Sequence, residues 1–556
     1  MDASDVLGAL SFGIQALQLF GSCGKGYQAL LKACEMDSDL SVLRCRLEIE
    51  IQRFRLWGEA SDIADGNLDV SARHAPVAMS TLQCLDRLIS DQINKIARYH
   101  ASSNQIGNSP PNRSLTDGLS STLGSVSRHT RWVLSDRQRI ESTMNEIKAI
   151  NDSLVSLLGQ SRQAEIAQSF RELSIRVLGT NDPAKLEILR LSAIGQYDEL
   201  SALTALKSLR VAMDMADKSS DHPQPNQGVG SSMADRPLVW IDLPLTGQMP
   251  AWGNSVDIYL VDRERFIFEW VRLPGDLTSR SKSLSRIQWV AQFLEQSSKV
   301  PDLRSPRFSG LSMHPSQEYI ALVYRFPDGS SDDLDPVSLD HVLSSTHRHG
   351  TLPSLNDRLA LAVALARSLL SLHASGWLHK SICPANIMFF YSGCDLDLGS
   401  GSYPPGLITR PYLKGFVYSR RSEDGASAQE NAAHSESIES SDASDFYRHP
   451  STFQTGASRR AFKKSHDLYS FGILLLEIGL WKRCKPDKDN LQPSEVRKML
   501  CKTYLQGDLA YRAGTTYQEV VRTCLMGDFG DEKSEKNWLE IQFLKRAVQK
   551  LESCRF

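Results

Sequence analysis

The stretch Leu372-His-Ala-Ser-Gly-Trp-Leu-His379-Lys380-Ser381-Ile-Cys383-Pro384-Ala-Asn386-Ile-Met-Phe-Phe390 decides how this chain is read. It follows a helical leucine pattern at Leu355, Leu359, Leu361, Leu365, Leu369 and Leu372. Between that helix and the apolar run Ile387–Phe390 lies a short polar loop carrying His379, Lys380, Ser381 and Asn386. Serine is not a carboxylate, so Ser381 cannot act as a base near neutral pH. No partner base accompanies it that would make it a nucleophile. His379 reads as a buried, backbone-bonded histidine and Asn386 as a hydrogen-bonded loop residue.

Working outward, the chain has 556 residues, 41% of them hydrophobic, which is ample for more than one core. Its net charge of −2 gives no global attraction to nucleic acid, and no Lys/Arg-rich block or finger spacing exists. No nucleic-acid partner is expected. The ten cysteines include no C-x-x-C pair, which argues against a zinc site and a secreted disulfide framework. The acidic start, Met1-Asp-Ala-Ser-Asp5, lacks the basic region of a signal peptide. No long uninterrupted apolar run predicts a constitutive transmembrane helix. The expected location is therefore cytoplasmic.

Residues 1–216 read as helical nearly throughout. Val6–Phe20 is mostly apolar. Ser38 is placed to cap a helix through Leu40, Leu43, Leu47, Ile51 and Phe54. A third helix covers about 76–99 and a long one about 128–158, with a polar insert at 101–126 between them. More helix follows near 183–215. Amphipathic helices without strand signals predict an all-α bundle. Residues 217–236 form a polar Pro/Gly linker. Beyond it, Val256–Val261, Arg265–Arg272 and Tyr319–Phe326 read as strands, and Ile287–Gln296 as helix. Strands followed by helices predict an α+β unit. Residues 422–445 carry seven acidic residues and no Lys or Arg, so a disordered solvated insert is expected. Added phosphate would raise its charge further.

The C-terminal half, 237–556, resembles the protein-kinase fold, which implies a small lobe at 237–327 and a large lobe at 328–556. Ala321-Leu-Val-Tyr-Arg-Phe-Pro327 is similar to the strand leading to the hinge, and 372–390 to the catalytic loop. Asp467-Leu-Tyr-Ser-Phe-Gly472 is similar to the large-lobe D-x-x-S-x-G helix. The resemblance implies that Asp467 bonds the catalytic-loop backbone; read by itself, Asp467 is a helix N-cap. Kinase catalysis needs an Asp where Ser381 stands and a second, metal-binding Asp. That second position aligns with Gly415-Phe416-Val417, and no Asp lies between Asp397 and Asp424. No G-x-G-x-x-G precedes the strands, and Phe268–Arg272 lacks the expected Lys, with Arg272 its nearest basic substitute and Glu295 a candidate partner. The expectation is a pseudokinase with no catalytic residue, no metal, and ATP as an optional ligand through Asn386 and Arg272. A divergent ATP-binding kinase is the alternative.

The N-terminal half resembles the HeLo domain of fungal HET-S/LopB heterokaryon-incompatibility proteins. The resemblance rests on Arg46–Ala60 with Trp57 and Gly58, on Arg131-Trp132-Val-Leu-Ser-Asp136, and on Gly8–Ile14. It implies a bundle that exposes its first helix on activation and acts on membrane lipid. A helix over residues 3–20 would span about 27 Å, near the lower limit for a bilayer core. Asp5, Gln15 and Gln18 oppose simple insertion, and oligomers would shield them. HET-S is triggered by a C-terminal prion-forming tail. Here the kinase-like module is expected in the trigger role, an architecture similar to that of mixed-lineage kinase domain-like proteins. The expected function is a cell-death regulator recruited to the plasma membrane through protein partners or self-association. A non-toxic scaffold is the third reading.

Overall fold

The computed structural model describes residues 3–34, 40–63, 70, 74–104, 141–220, 239–241, 256–261, 264–327, 334–349, 352–392, 406, 408–421, 445–453, 462–484, 493–531 and 535–554. Ser38, Trp132 and Asp136 lie outside them, as do most of both expected inserts. By packing, the chain forms two compact units. One holds Met1–Ser174 and Glu187–Tyr197, the other Ile175–Leu186 and Asp198–Phe556.

The N-terminal unit is helical: α1 (Ala3–Cys34), α2 (Ser41–Ala60), α3 (Ala75–Asn104), α4 (141–156), most of α5 (Gln160–Val177) and the end of α6 (Pro183–Ala193). Helical spacing explains the core. Ala16, Cys23, Tyr27 and Leu30 of α1 are buried with Leu43, Leu47, Ile51, Phe54 and Trp57 of α2, and with Leu82, Leu85 and Ile89 of α3. Gly58 permits one close approach: a Cβ there would lie 2.3 Å from Cζ of Phe20, whose ring stacks on Phe54 at 4.6 Å. The third helix continues to Asn104, beyond the expected start of the insert at 101, and α5 falls in the stretch read as helical but given no helix of its own. Glu50 is fully buried; its Oε1 accepts a hydrogen bond from Tyr197 Oη, and its Oε2 accepts one from Asn151 Nδ2 and pairs with Arg53.

The C-terminal unit combines helices with three small sheets. It includes α7 (Asp198–Ser220), which runs four residues into the expected linker. The first sheet contains β1 (Val256–Val261), β2 (Glu264–Arg272), β3 (Arg307–Met313) and β4 (Tyr319–Arg325), antiparallel in the order β1-β2-β4-β3. Between β2 and β3 runs α8 (Leu277–Ser297), whose start is capped by Asp276 accepting from Ser279 N at 2.8 Å. This helix starts at Leu277 rather than Ile287, nearly three turns earlier than its apolar pattern suggested, because the cap sits in a polar stretch.

The second sheet orders β5 (Leu334–Ser338), β7 (Ile387–Ser392) and β8 (Tyr412–Leu413) as β5-β7-β8. The third pairs β6 (Trp377–Leu378) with β9 (Arg420–Arg421). Helix α9 (Leu339–His349) leads to α10 (Leu355–Ala374), which Ser354 caps through Asp357 N at 3.0 Å. Helix α11 (Lys464–Leu480) is buried from His466 onward. Gly472 lets it sit against the helix Thr515–Met526, where a Cβ would meet Cys524 Cβ and Leu525 N at 3.0 Å.

Candidate functional site

The loop between β6 and β7 gathers the candidate residues. Gly376 turns the chain at a φ of +82° after α10, and Trp377 and Leu378 pair with β9. His379 then becomes wholly buried. Its Nδ1 accepts from Ser381 N at 3.2 Å, so Nε2 carries the proton and donates to Lys414 O at 3.1 Å. That tautomer is neutral. Burial, only partly opposed by Asp467, pushes the His379 pKa down to about 4.

Asp467 holds this loop from α11. Its Oδ2 accepts from His379 N and its Oδ1 from Lys380 N, both at 2.8 Å, and His373 Nε2 lies 3.2 Å from Oδ2. Burial alone would raise the carboxyl pKa, but the hydrogen bond and charge of His373, with help from His379, bring it below the usual range. Lys380 sits at a φ of +69°, a conformation that costs a side-chain-bearing residue about 1–2 kcal/mol. The Asp467 bond to its N–H compensates. The N-cap reading of Asp467 is corrected: Lys463 occupies the cap, with His466 Nδ1 accepting its backbone N–H, because the helix begins at Lys464 and so places Asp467 inside its first turn.

Asn386 ends a short 3₁₀ turn, Pro384–Asn386. Its Nδ2 donates to Ser381 O at 2.7 Å and Ser381 Oγ at 2.8 Å. Lys414 N donates to Asn386 O, and Lys414 Nζ lies 3.4 Å from Asn386 Oδ1. Gly415 follows at a φ of +88°, and a Cβ on it would lie 2.6 Å from Asn386 Nδ2. Phe416 is buried against His379 at 4.9 Å and Phe293 of α8 at 5.4 Å, and Phe293 meets Trp377 at 4.6 Å. His379, Lys380, Ser381, Asn386, Gly415, Phe416 and Asp467 thus form one connected centre.

Arg272 does not join that constellation by any described contact; it is exposed at the end of β2, opposite Tyr319. Glu295 is exposed on the outer side of α8, whose inner side carries Ile287, Val290, Phe293 and Leu294. Helical phase therefore removes it as the inward partner. Two features escaped the sequence reading. Lys414 is 4% exposed, yet an isolated lysine beside a glycine carries no motif. Glu269 accepts from buried Tyr324 Oη at 2.9 Å across β2 and β4, a pairing visible only once the register is known. Among the described residues, no group of three His, Cys, Asp or Glu is placed to hold a metal ion, and no helix is long and apolar enough to cross a membrane.

Residues 6–189 match the HeLo family model, described as prion-inhibition and propagation. Residues 311–550 match the model of a domain of unknown function, DUF7580. A comparison with curated proteins finds no match.

Proposed function

We propose that this chain is a regulatory protein of the fungal cell-death or incompatibility type, in which a non-catalytic kinase-like unit controls a HeLo domain. The HeLo match supports the effector part. Support for the kinase-like reading comes from the order of elements: an antiparallel sheet interrupted by α8, then α10, the His379 loop, β7, β8 and a buried helix bearing Asp467. Phe293 meets Phe416, Phe416 stands edge-on to His379, and His379 N donates to Asp467, which links α8 to α11 through the loop.

One observation carries the non-catalytic reading. The position expected to bind metal is Gly415, and the space its side chain would need is taken by the Asn386 amide. Ser381 offers a hydroxyl instead of a base, and a lysine ammonium approaches Asn386 Oδ1. This set of an amide, a hydroxyl and an ammonium does not match the carboxylate oxygens that usually hold a magnesium ion. ATP is not required, and the unit acts through its conformation.

Control runs through α7. Trp377 Nε1, two residues before His379, donates to Leu206 O of α7 at 3.2 Å, and α7 packs on α8. Tyr197, the last residue of the N-terminal unit, directly precedes α7. A protein partner or modification that rearranges the His379 centre would shift α7 and bias the bundle toward a membrane-active state. Thermal unfolding of the full chain with and without 5 mM-scale Mg-ATP tests the non-catalytic part (about this concentration saturates ordinary sites). No shift, together with no autophosphorylation, is the expected result. A metal-dependent upward shift accompanied by phosphate incorporation would overturn it.

A further inference from the structure

We propose that His449, Ser451 and His466 form an acid-sensitive latch that fastens the segment Tyr447–Phe453 to the start of α11. The two imidazoles stack face to face, with centroids 4.8 Å apart and an interplanar angle of 15°. Their hydrogen bonds fix both as neutral. Ser451 N donates to His449 Nδ1 at 3.1 Å, and Lys463 N donates to His466 Nδ1 at 3.2 Å. A backbone N–H can only donate, so neither Nδ1 can carry a proton. His466 therefore holds its proton on Nε2 and donates to Ser451 Oγ at 3.1 Å. The Ser451 hydroxyl then donates to His449 Nδ1 at 2.8 Å. The chain of bonds has one direction, and protonating either ring sets N–H against N–H.

The surroundings deepen the effect. Lys463 and Lys380 bear on His466, and Arg497 on His449; all three oppose a further positive charge. Asp467 is the carboxylate that favours one, but it is committed to His373, His379 N and Lys380 N. Tyr469 stands edge-on to His449, and Phe462 edge-on to His466. Stacked imidazoliums would also repel each other. Burial and these neighbours hold the His466 pKa down to about 3, and His449 is lowered as well.

The sign follows. An opened segment titrates near the ordinary histidine pKa of about 6.5, whereas the closed latch does not take up the proton. The latch is fully favoured above pH 6.5 and weakens as pH falls toward 3. At pH 5.5 the open population rises about tenfold for His466 alone. Because Lys380 lies in the loop held by Asp467, opening here disturbs the same centre that carries the proposed control; the latch itself stands on its own geometry.

Hydrogen exchange of the full chain, corrected for the intrinsic pH dependence of amide exchange, tests this. Protection of the 447–466 peptides should fall about tenfold or more between pH 8 and pH 5.5. His449→Asn/His466→Asn, in which an amide oxygen accepts the same backbone N–H groups without titrating, should remove that fall. Unchanged protection in the wild-type chain overturns the latch, whatever the variant does. An equal fall in both proteins overturns it too.

Discussion

A Cβ placed on Gly415 would lie 2.6 Å from Nδ2 of Asn386, so the two positions cannot both present a side chain to the same space. The Asn386 amide has closed over the glycine and turned its donors to Ser381. What remains is a joint that holds β7, β8 and the His379 loop in one arrangement.

Restoring a carboxylate at this joint should not restore metal binding. Gly415→Asp meets both the left-handed backbone and the Asn386 amide, and should destabilise the C-terminal unit by about 2–4 kcal/mol. Denaturant unfolding measures the loss. A stable variant whose melting temperature rises with Mg²⁺ would show that the centre still accepts a cation.

Asp467 is expected to be the most sensitive residue of the centre. Asp467→Ala removes the acceptor of two buried backbone N–H groups and leaves Lys380 unsupported at positive φ. A loss of about 3–5 kcal/mol follows. A loss below about 1 kcal/mol, within the range of an ordinary surface change, would contradict the assignment.

The N-terminal unit has its own polar clamp. Tyr197→Phe deletes the hydroxyl that donates to buried Glu50, and should cost about 1–3 kcal/mol. The charged carboxylate retains Asn151 and Arg53, which limits the damage. Urea midpoints of the two proteins compare directly. An equal midpoint would mean that Tyr197 contributes nothing as a donor.

Acid should weaken the chain in two steps. His379 has a folded pKa of about 4 against an ordinary value near 6.5, so its neutral form supplies stability that is complete above pH 6.5 and lost as pH falls toward 4. Asp467 is lowered, so its contribution is present above its ordinary pKa of about 3.9 and disappears below that. In the His449→Asn/His466→Asn background, the residual loss of stability between pH 7 and pH 4.5 reports His379. A flat profile there would mean that His379 is charged or exposed in the folded chain.

Much of the architecture was legible in apolar periodicity. The pattern through Leu361, Leu365, Leu369 and Leu372 located α10, and short aromatic and β-branched runs located β2 and β4. Strand β3 was missed because Arg307-Phe-Ser-Gly-Leu-Ser-Met313 alternates poorly and carries a glycine at its bulge. Helix α5 lay in the stretch read as helical but was not delimited, because its Gln, Arg and Ser content hides a narrow apolar side. The centre around His379 was legible through spacing, since loop motifs keep local order. Lys414, the Glu269–Tyr324 pair and the His449–His466 stack were not, because each depends on register or on residues brought together by folding.

Central to the proposal is that α7, bonded to Trp377 within the C-terminal unit, relays that unit's state to the N-terminal helices. Dye release from anionic liposomes by the full chain tests it most directly, comparing wild type with Trp377→Leu, which removes the bond to Leu206 O. The account predicts a silent wild type and a variant that releases dye. Equal release by both, or a folded variant as silent as the wild type, would contradict it.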